Sequence, residues 1–234
     1  MTWLRSTLFQ LAFSLWTALV AVAFTPILVG PRSWSHWMFN FWGRGLVAIL
    51  GALGVRVEVR GREHIPAGAA LVAPKHQCML DVFAQFTWLP ATAFVMKKEL
   101  AWIPWFGWYA RKAGCIVIDR EGSSKTMRQV IREGTERFAW GAQVVVFPEG
   151  HRQPIGAAPD YKPGIAALYR ELDVPVYPVA TNAGQHWSAK GLKLTPGRIV
   201  YQYLEPIPPG LKRAEFMRIL QDRIETASAA LLGL

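Results

Sequence analysis

A histidine and an aspartate, His76 and Asp81, lie five positions apart where a β-branched run gives way to a new element. On a continuous helix this spacing would place the two side chains about 140° apart. They can meet only if His76 lies in a loop and Asp81 in the first turn of the following helix. The carboxylate would then accept a hydrogen bond from one imidazole nitrogen, which leaves the other to take a proton from a hydroxyl. The pair therefore predicts a general base, with the substrate alcohol as nucleophile.

Cys78 lies between these two residues and suggests a different chemistry, that of a cysteine nucleophile activated by a histidine. Because His76 is only two positions away, the imidazole is too near in sequence to orient well toward the thiol. We therefore interpret Cys78 as an inert, buried thiol. Asp81 also suits a helix N-cap, and this structural role is compatible with orienting the histidine.

A second group of candidate residues, Glu149, Gly150, His151 and Arg152, follows a strand of buried type. A proline and a glycine shape the turn, and polar residues at such a strand end point into the crevice where α/β sheets bind ligands. Arg152 suits bidentate binding of a phosphate. Glu149 either acts directly in the site, supported by Gly150, or satisfies only the backbone amides of its own turn.

Two further strands end in basic residues. Lys97 and Lys98 follow one of them, and Asp119 and Arg120 lie at the tip of the other. Together with Arg152, these cations predict an anion site beside the base. As alternatives, Asp119 pairs with Arg120, and Lys97 is a solvated surface charge.

The elements that must position these residues alternate between short β-branched runs and helical stretches. This alternation predicts an α/β catalytic domain over residues 55–234, with a mixed, largely buried central sheet flanked by helices. The predicted strands are Val55–Arg60, Ala69–Ala73, Thr92–Met96, Cys115–Ile118, Gln143–Phe147, Val176–Ala180 and Arg198–Leu204. The predicted helices are Ser123–Ala139, Lys162–Glu171 and Arg213–Leu231.

Residues 1–54 are predicted to form a membrane-anchoring helical region. Leu8–Val29 is almost uninterruptedly apolar, and as a helix it would reach roughly 33 Å, about the thickness of a bilayer's hydrocarbon core. Trp34–Gly54 is rich in Trp and Phe, as interfacial segments are. We predict a helical hairpin, either with one full span or lying in one leaflet. A signal peptide cleaved after Ala23 is the competing interpretation, but the apolar run continues past that site.

The composition favours lipid over nucleic acid as a partner. Hydrophobic residues make up 52% of the 234 residues and charged residues 18%, against about 25% charged in ordinary soluble domains. The formal net charge is +10, yet the cations are scattered rather than clustered in one basic run. The two cysteines, Cys78 and Cys115, lack metal-ligand spacing and fit a reducing cytoplasmic setting. The sequence therefore predicts no nucleic-acid partner, no metal site and no disulfide framework.

Four segments together resemble the motifs of the glycerolipid (lysophospholipid) acyltransferases, and the chain is similar to bacterial 1-acylglycerol-3-phosphate acyltransferases over about residues 55–211. In chain order they are His76-Gln-Cys-Met-Leu-Asp81, Gly114-Cys-Ile-Val-Ile-Asp-Arg120, Phe147-Pro-Glu-Gly-His-Arg152 and Val174-Pro-Val-Tyr-Pro178. The resemblance implies that His76 is the base, Asp81 its orienter, and Arg120, Arg152 and Lys97 ligands of a substrate phosphate. The third motif usually has Thr where this chain has His151, which leaves room for a different headgroup.

The resemblance implies transfer of a fatty acyl chain from an acyl carrier protein or coenzyme A thioester to the sn-2 hydroxyl of 1-acylglycerol-3-phosphate, which gives phosphatidic acid. It also implies no cofactor beyond this co-substrate, contact with membrane lipids, and a location on the cytoplasmic face of the inner membrane. Acylation of another lysolipid, such as a lyso-ornithine lipid, is the enzymatic alternative. A hydrolytic thioesterase and a non-catalytic lipid-binding protein are competing interpretations of the same residues.

Overall fold

The computed structural model describes residues 2–119, 123–189, 191 and 193–233. The helices are α1 (Thr2–Ala23), α2 (Arg32–Ala52), α3 (Leu80–Trp88), α4 (Phe106–Ala113), α5 (Ser123–Phe138), α6 (Gly164–Leu172) and α7 (Arg213–Leu232). The strands are β1 (Val55–Arg60), β2 (Ala70–Pro74), β3 (Thr92–Lys97), β4 (Ile116–Ile118), β5 (Gln143–Val145), β6 (Val176–Thr181) and β7 (Gly197–Tyr203).

These strands form one sheet in the order β1-β7-β6-β2-β5-β3-β4. The central strand β2 pairs in parallel with β6 and β5, and β3 pairs in parallel with β5 and β4. β7 pairs antiparallel with β6 and parallel with β1, so that β1 and β7 run opposite to the other strands. The predicted mixed sheet is confirmed. Because β2, β5 and β3 are parallel neighbours, the residues that follow them meet at one edge of the sheet.

Successive side chains of β2 point to opposite faces of the sheet, where they enter two different cores. Val72 packs in a core with residues of α1 to α4, whereas Leu71 and Ala73 pack in a core with residues of α5 to α7. β2 is thus covered by helices on both faces, which explains why its sequence is continuously apolar.

α1 and α2 pack on each other and on the sheet domain, so the predicted anchoring region shares a core with the catalytic domain. Phe9 of α1 contacts Trp187 edge to face at 4.9 Å between ring centroids, and Phe13 stacks on Phe83 at 5.7 Å. Within the described part of the chain, Trp3–Ala23 is a helix long and apolar enough to cross a membrane.

The exposed apolar side chains are concentrated in residues 3–41, which include α1 and the first half of α2, and in residues 100–108, and we call this set the apolar surface. Its members are Trp3, Leu4, Leu8, Leu11, Leu15, Leu19, Val22, Val29, Trp34, Trp37, Phe41, Leu100, Trp102, Ile103 and Trp108. Two hydrogen bonds join residues 100–109 to α1 and to the turn that follows it. The Tyr109 hydroxyl donates to the Ala21 carbonyl at 2.8 Å, and the Trp105 indole N–H donates to the Thr25 hydroxyl at 3.0 Å. Exposed apolar area of this extent marks a surface that contacts a membrane or a partner.

Three local predictions are corrected. The α-helix predicted within Leu8–Val29 ends at Ala23 and continues as a 3₁₀ turn, because Pro26 has no backbone N–H to extend it. β5 ends two residues before the predicted Phe147. The helix α4 was not predicted, because its eight residues are too few to show a helical period.

Candidate active site

His76 and Asp81 meet as predicted, with the histidine in the turn after β2 and the aspartate in the first turn of α3. Nδ1 of His76 lies 3.0 Å from Oδ2 of Asp81. The carboxylate is fully buried, whereas 13% of the His76 side chain is exposed. Nδ1 of the imidazole is therefore held by a buried carboxylate, while part of the ring stays accessible to a substrate. A general base needs this arrangement.

The Asp81 carboxylate is fixed by donors from three further groups. Oδ2 accepts the backbone N–H groups of Gln77 at 2.6 Å and Cys78 at 2.7 Å, and Oδ1 accepts the hydroxyl of Tyr201 at 2.8 Å. Burial, and then the Asp81 charge, raise the pKa of Tyr201, so this phenol stays neutral and can donate. These bonds orient the carboxylate before any substrate binds.

The Cys78 thiol does not take part as a nucleophile in this geometry. Its Sγ lies 3.7 Å from Oδ1 of Asp81, and the side chain is fully buried. Burial raises the pKa of Cys78, and the Asp81 charge raises it further. The thiol is therefore protonated and packed in the core, which agrees with its interpretation as inert.

Glu149 lies behind the histidine turn rather than in the cleft. Its Oε2 accepts the backbone N–H of His76 at 2.7 Å, and its Oε1 lies 3.2 Å from Nζ of Lys75. Lys75 also bonds both carboxylate oxygens of Glu225 on α7, at 2.6 and 2.8 Å, and the Tyr161 hydroxyl donates to Glu225 at 2.9 Å. This network holds the turn that bears the base against α7.

Burial raises the pKa of Glu149, and the charge of the adjacent Lys75 counteracts this effect. The side chain is 1% exposed, so its contacts are with the protein, among them the backbone N–H of His76. The sequence did not predict Lys75, Glu225, Tyr161 or Tyr201 as site residues. Lys75 could have been suspected from its place beside His76, whereas Glu225 lies 150 positions from Lys75 and gives no local signal.

A cleft of about 450 Å³ opens over the His76 ring. The polar or charged residues on its lining are His76, Lys97, Glu99, His151 and Arg152, and the rest of its lining includes Val82, Phe86, Phe94, Leu100, Phe106, Phe147 and Gly150. Lys97 is the last residue of β3, and Arg152 lies in the turn that follows β5. Both side chains are exposed. The structure thus brings the predicted base and two of the predicted cations into one cleft.

The His151 side chain is held close to the histidine turn. The amide nitrogen of the Gln153 side chain donates to Nε2 of His151 at 3.0 Å, and the backbone N–H of Gln153 donates to the His76 carbonyl at 2.8 Å. The His76 ring stacks on Phe147 with centroids 3.9 Å apart. A bulky imidazole therefore occupies the place where related motifs carry Thr.

The predicted phosphate ligand Arg120 lies outside the described residues. Its neighbour Asp119 forms an ion pair with Lys98, and the Thr126 hydroxyl donates to the Asp119 carbonyl at 2.8 Å. Lys98 is therefore engaged by a carboxylate.

A second, largely apolar cavity of about 380 Å³ lies between α1, α2 and residues 103–109. It shares Phe106 with the cleft over His76. At its wall, Trp105 adopts a φ of 58° and a ψ of −56°, and the Phe106 N–H donates to the Pro104 carbonyl at 2.7 Å. This is a γ-turn of the strained kind, and it places two aromatic rings at the junction of the two spaces.

The family model described as Acyltransferase matches residues 56–182, which is more than half of the chain. The chain belongs to the acyltransferase family. The 1-acyl-sn-glycerol-3-phosphate acyltransferase of Pseudomonas aeruginosa is 35% identical over 168 residues, which cover 72% of this acyltransferase and 63% of that protein. The alpha enzyme of Bos taurus is 30% identical over 174 residues, which cover 73% and 61%. This acyltransferase therefore spans less than two thirds of the length of these relatives.

The crystal structure of the 1-acyl-sn-glycerophosphate (LPA) acyltransferase from Thermotoga maritima matches this acyltransferase with a TM-score of 0.84. The match covers 100% of this chain and 99% of that one, at 23% sequence identity. The likeness confirms the predicted fold class over the whole chain, including the N-terminal helices.

Proposed function

We propose that this acyltransferase transfers a fatty acyl chain from an acyl thioester to the sn-2 hydroxyl of 1-acylglycerol-3-phosphate, which gives phosphatidic acid. The observation that carries the proposal is the cleft itself. A proposed general base, His76, lines the same cleft as two cations, Lys97 and Arg152, and an apolar wall that includes Phe94 and Phe106. A substrate that combines a phosphate, a hydroxyl and an acyl chain fits these three features.

In the proposed reaction, Nε2 of His76 takes the proton of the sn-2 hydroxyl while Asp81 holds Nδ1. The hydroxyl oxygen attacks the thioester carbonyl carbon, and a new C–O bond forms in a tetrahedral oxyanion. The C–S bond then breaks, and the thiolate leaves and takes the proton from the imidazolium. This sequence of steps needs neither an acyl-enzyme nor a metal.

The acceptor phosphate is assigned to Lys97 and Arg152, whose side chains line the same cleft as the base. Arg120 stays a predicted third ligand. Guanidinium and ammonium groups that hold the phosphate also fix how far the hydroxyl lies from His76, and this positioning contributes to the rate.

The acyl chain of the thioester is assigned to the apolar cavity that adjoins the cleft at Phe106. Aromatic and aliphatic side chains line this cavity, and they exclude water from the chain. The donor carrier is an acyl carrier protein or coenzyme A, both of which would leave as free thiols.

The apolar surface is proposed to contact the membrane. One of its members, Leu100, also lines the cleft. A lysolipid could then reach His76 from the bilayer interface without crossing water. Since acyl thioesters of these carriers are cytoplasmic molecules, the cytoplasmic face of the inner membrane is the proposed location.

The test is a product analysis by mass spectrometry with the purified full-length protein in detergent. Long-chain acyl thioesters on both carriers are offered with 1-acylglycerol-3-phosphate, with 1-acylglycerol, which lacks the phosphate, and with a lyso-ornithine lipid. We expect phosphatidic acid to form fastest, and we expect Arg152→Glu to raise the KM for its precursor with a smaller effect on kcat. An unchanged KM would argue against a phosphate site at Arg152.

Acylation of a different lysolipid is the second candidate function, and His151 is the observation that favours it. The imidazole lies in the cleft in place of the usual Thr. If lyso-ornithine lipid is acylated at a higher kcat/KM than 1-acylglycerol-3-phosphate, this second function replaces the first. Release of free fatty acid in excess over any lipid product would instead indicate a thioesterase.

A further inference from the structure

A cavity of about 500 Å³, lined by both polar and apolar side chains, lies away from the catalytic cleft, beside the first two turns of α2. It is lined by Arg32, Ser33, His36, Trp37, Asn40, Leu89, Pro90, Ala91 and Trp140. The residues before β3 and before β5 contribute to it, whereas the catalytic cleft is formed by residues that follow β2, β3 and β5. Since these strands are parallel, the two spaces lie at opposite edges of the sheet.

A cation that has no carboxylate partner in the described part of the chain, Arg32, lines this cavity. The guanidinium carbon of Arg32 lies 4.3 Å from the ring centroid of Trp140, a cation–π contact that orders the side chain. Among the ion pairs of the described residues none involves Arg32, whereas the nearby Arg137 is paired with Glu133 at 3.3 Å and Glu136 at 3.0 Å. Burial, and then the charge of Arg137, lower the pKa of Arg32. An anion bound in the cavity would favour the charged guanidinium, and it would therefore counteract the lowering of the Arg32 pKa by burial and by Arg137.

A second polar group in the cavity is Nε2 of His36. This atom is buried and has no hydrogen-bond partner among the described residues, and the His36 ring lies 5.8 Å from the Trp140 ring. A buried donor without a partner destabilises the folded protein. Burial, and then the charge of Arg32, lower the pKa of His36 to about 4, so the neutral ring can donate through Nε2–H at pH 7. A ligand oxygen would satisfy this atom.

The cavity is continuous with the apolar surface. Trp37 lines the cavity and is itself 56% exposed as a member of that surface. Trp34 and Phe41 lie on the same face of α2, three and four positions away from Trp37, and both are exposed. Exposed tryptophans beside a cation are typical of the level of lipid headgroups at a membrane interface.

We propose that this cavity binds the phosphate group of an anionic membrane phospholipid, with Arg32 as its cation and His36 as a hydrogen-bond donor. The lipid tails would lie along Trp37 and the apolar surface, and the headgroup would lie against Trp140. The site is separate from the catalytic cleft and would bind a lipid that is not a substrate. The inference rests on the membrane association proposed above and does not depend on acyl transfer.

The experiment measures binding of phosphatidylglycerol to the full-length protein in nonionic detergent by native mass spectrometry. Arg32→Gln should weaken binding of one lipid at least about fivefold, because a basic residue near a lipid surface contributes about 1 kcal/mol. Arg44→Gln removes the same charge from an exposed position of the same helix outside the cavity, and should leave binding unchanged. Trp140→Leu keeps the net charge but removes the ring under Arg32, and should weaken binding like Arg32→Gln.

Equal losses in Arg32→Gln and Arg44→Gln would show attraction by net charge alone and would overturn the proposal. Inorganic phosphate is titrated separately, and displacement of the lipid by inorganic phosphate at similar concentration would overturn the assignment to a lipid. Acyl transfer to acceptor dispersed in detergent is expected to be equal in wild type and Arg32→Gln. Since lipid binding needs no turnover, it can be scored even if the proposed reaction is wrong.

Discussion

The hydroxyl of Tyr201 on β7 donates a 2.8 Å hydrogen bond to Oδ1 of Asp81, the carboxylate oxygen that His76 does not use. The two residues are 120 positions apart in the sequence, and Asp81 lies on α3. A residue from the antiparallel part of the sheet therefore holds the carboxylate that contacts the proposed base. Through this contact β7 supports the proposed catalytic pair.

Tyr201→Phe should lower both stability and turnover. The change leaves Oδ1 of Asp81 buried with the weak thiol donor of Cys78, at a cost of about 1–3 kcal/mol in the free energy of unfolding. Tyr203→Phe is the matched control, because Tyr203 is a buried phenol on the same strand that donates to Gln85 at 2.7 Å instead. Urea unfolding should show similar losses for both variants, whereas kcat should fall in Tyr201→Phe alone. Equal kcat values would contradict the positioning role.

Asp81→Asn should reduce kcat by about 100- to 10,000-fold with a small change in KM for the acceptor. The amide cannot stabilise an imidazolium, and it puts a donor where the carboxylate accepts from His76, Gln77 and Cys78. Steady-state kinetics of Asp81→Asn, His76→Ala and the double variant check this. Since the two residues act as a unit, the double variant should be no slower than His76→Ala. Multiplicative losses would indicate independent roles.

Glu225→Gln should slow the reaction although Glu225 lies outside the catalytic cleft. Without this carboxylate, the buried ammonium of Lys75 keeps only Glu149, whose other oxygen holds the backbone N–H of His76. We expect a loss of about 1–3 kcal/mol in stability and a fall in kcat. Asp222→Asn makes the same charge change at an exposed position of α7 and is the control. If both variants keep wild-type kcat, the network has no influence on the base.

The sequence predicted the His76–Asp81 pair correctly because its geometry is local. A turn and the first turn of a helix suffice to bring these two side chains together. Lys97 and Arg152 were expected beside them because residues that follow parallel neighbouring strands meet at one edge of the sheet, and both line the same cleft. The seven strands were predicted to within two residues, because runs of β-branched residues between turns are a local signal.

Sequence reasoning could not find the contacts that depend on strand order. Tyr201 reaches Asp81 because α3 follows the central strand β2 and β7 lies two strands away in the sheet, and no local pattern encodes this. Glu225 meets Lys75 for the same reason, through the packing of α7 on the sheet domain. The sequence alone allows two interpretations of Glu149, a direct role in the site or bonds to the amides of its own turn. In the structure this carboxylate is buried beside Lys75 and accepts the backbone N–H of His76, a contact that neither interpretation included.

Ala21→Phe should shift the preference of the enzyme toward shorter acyl chains. Ala21 lines the apolar cavity beside Phe106, and a phenyl group there would occupy space assigned to the far end of the chain. The kcat/KM for the longest thioester should fall by roughly tenfold, while that for a short one stays unchanged. Ala23→Phe, at an exposed position of α1 outside the cavity, is the control. A uniform loss over all chain lengths would show that the chain does not enter this cavity.

His36 should make the protein less stable as the pH falls from about 6.5 toward 4. Burial, and then the charge of Arg32, lower the pKa of His36 from 6.5 to about 4 in the folded state. Between these values the unfolded chain binds a proton that the folded chain does not, so the free energy of unfolding decreases as the pH falls. The full loss is about 3 kcal/mol and disappears as the pH rises above 6.5.

Urea unfolding in nonionic detergent at a series of pH values measures this loss. His36→Gln removes the titrating group, so its stability should fall less than that of the wild type over this pH range, whereas the control His64→Gln should follow the wild type. Bound phosphatidylglycerol should reduce the difference, because a phosphate beside the imidazole favours its protonated form and raises the pKa of His36. Parallel pH profiles for His36→Gln and wild type would mean that this histidine is protonated equally in the folded and unfolded states.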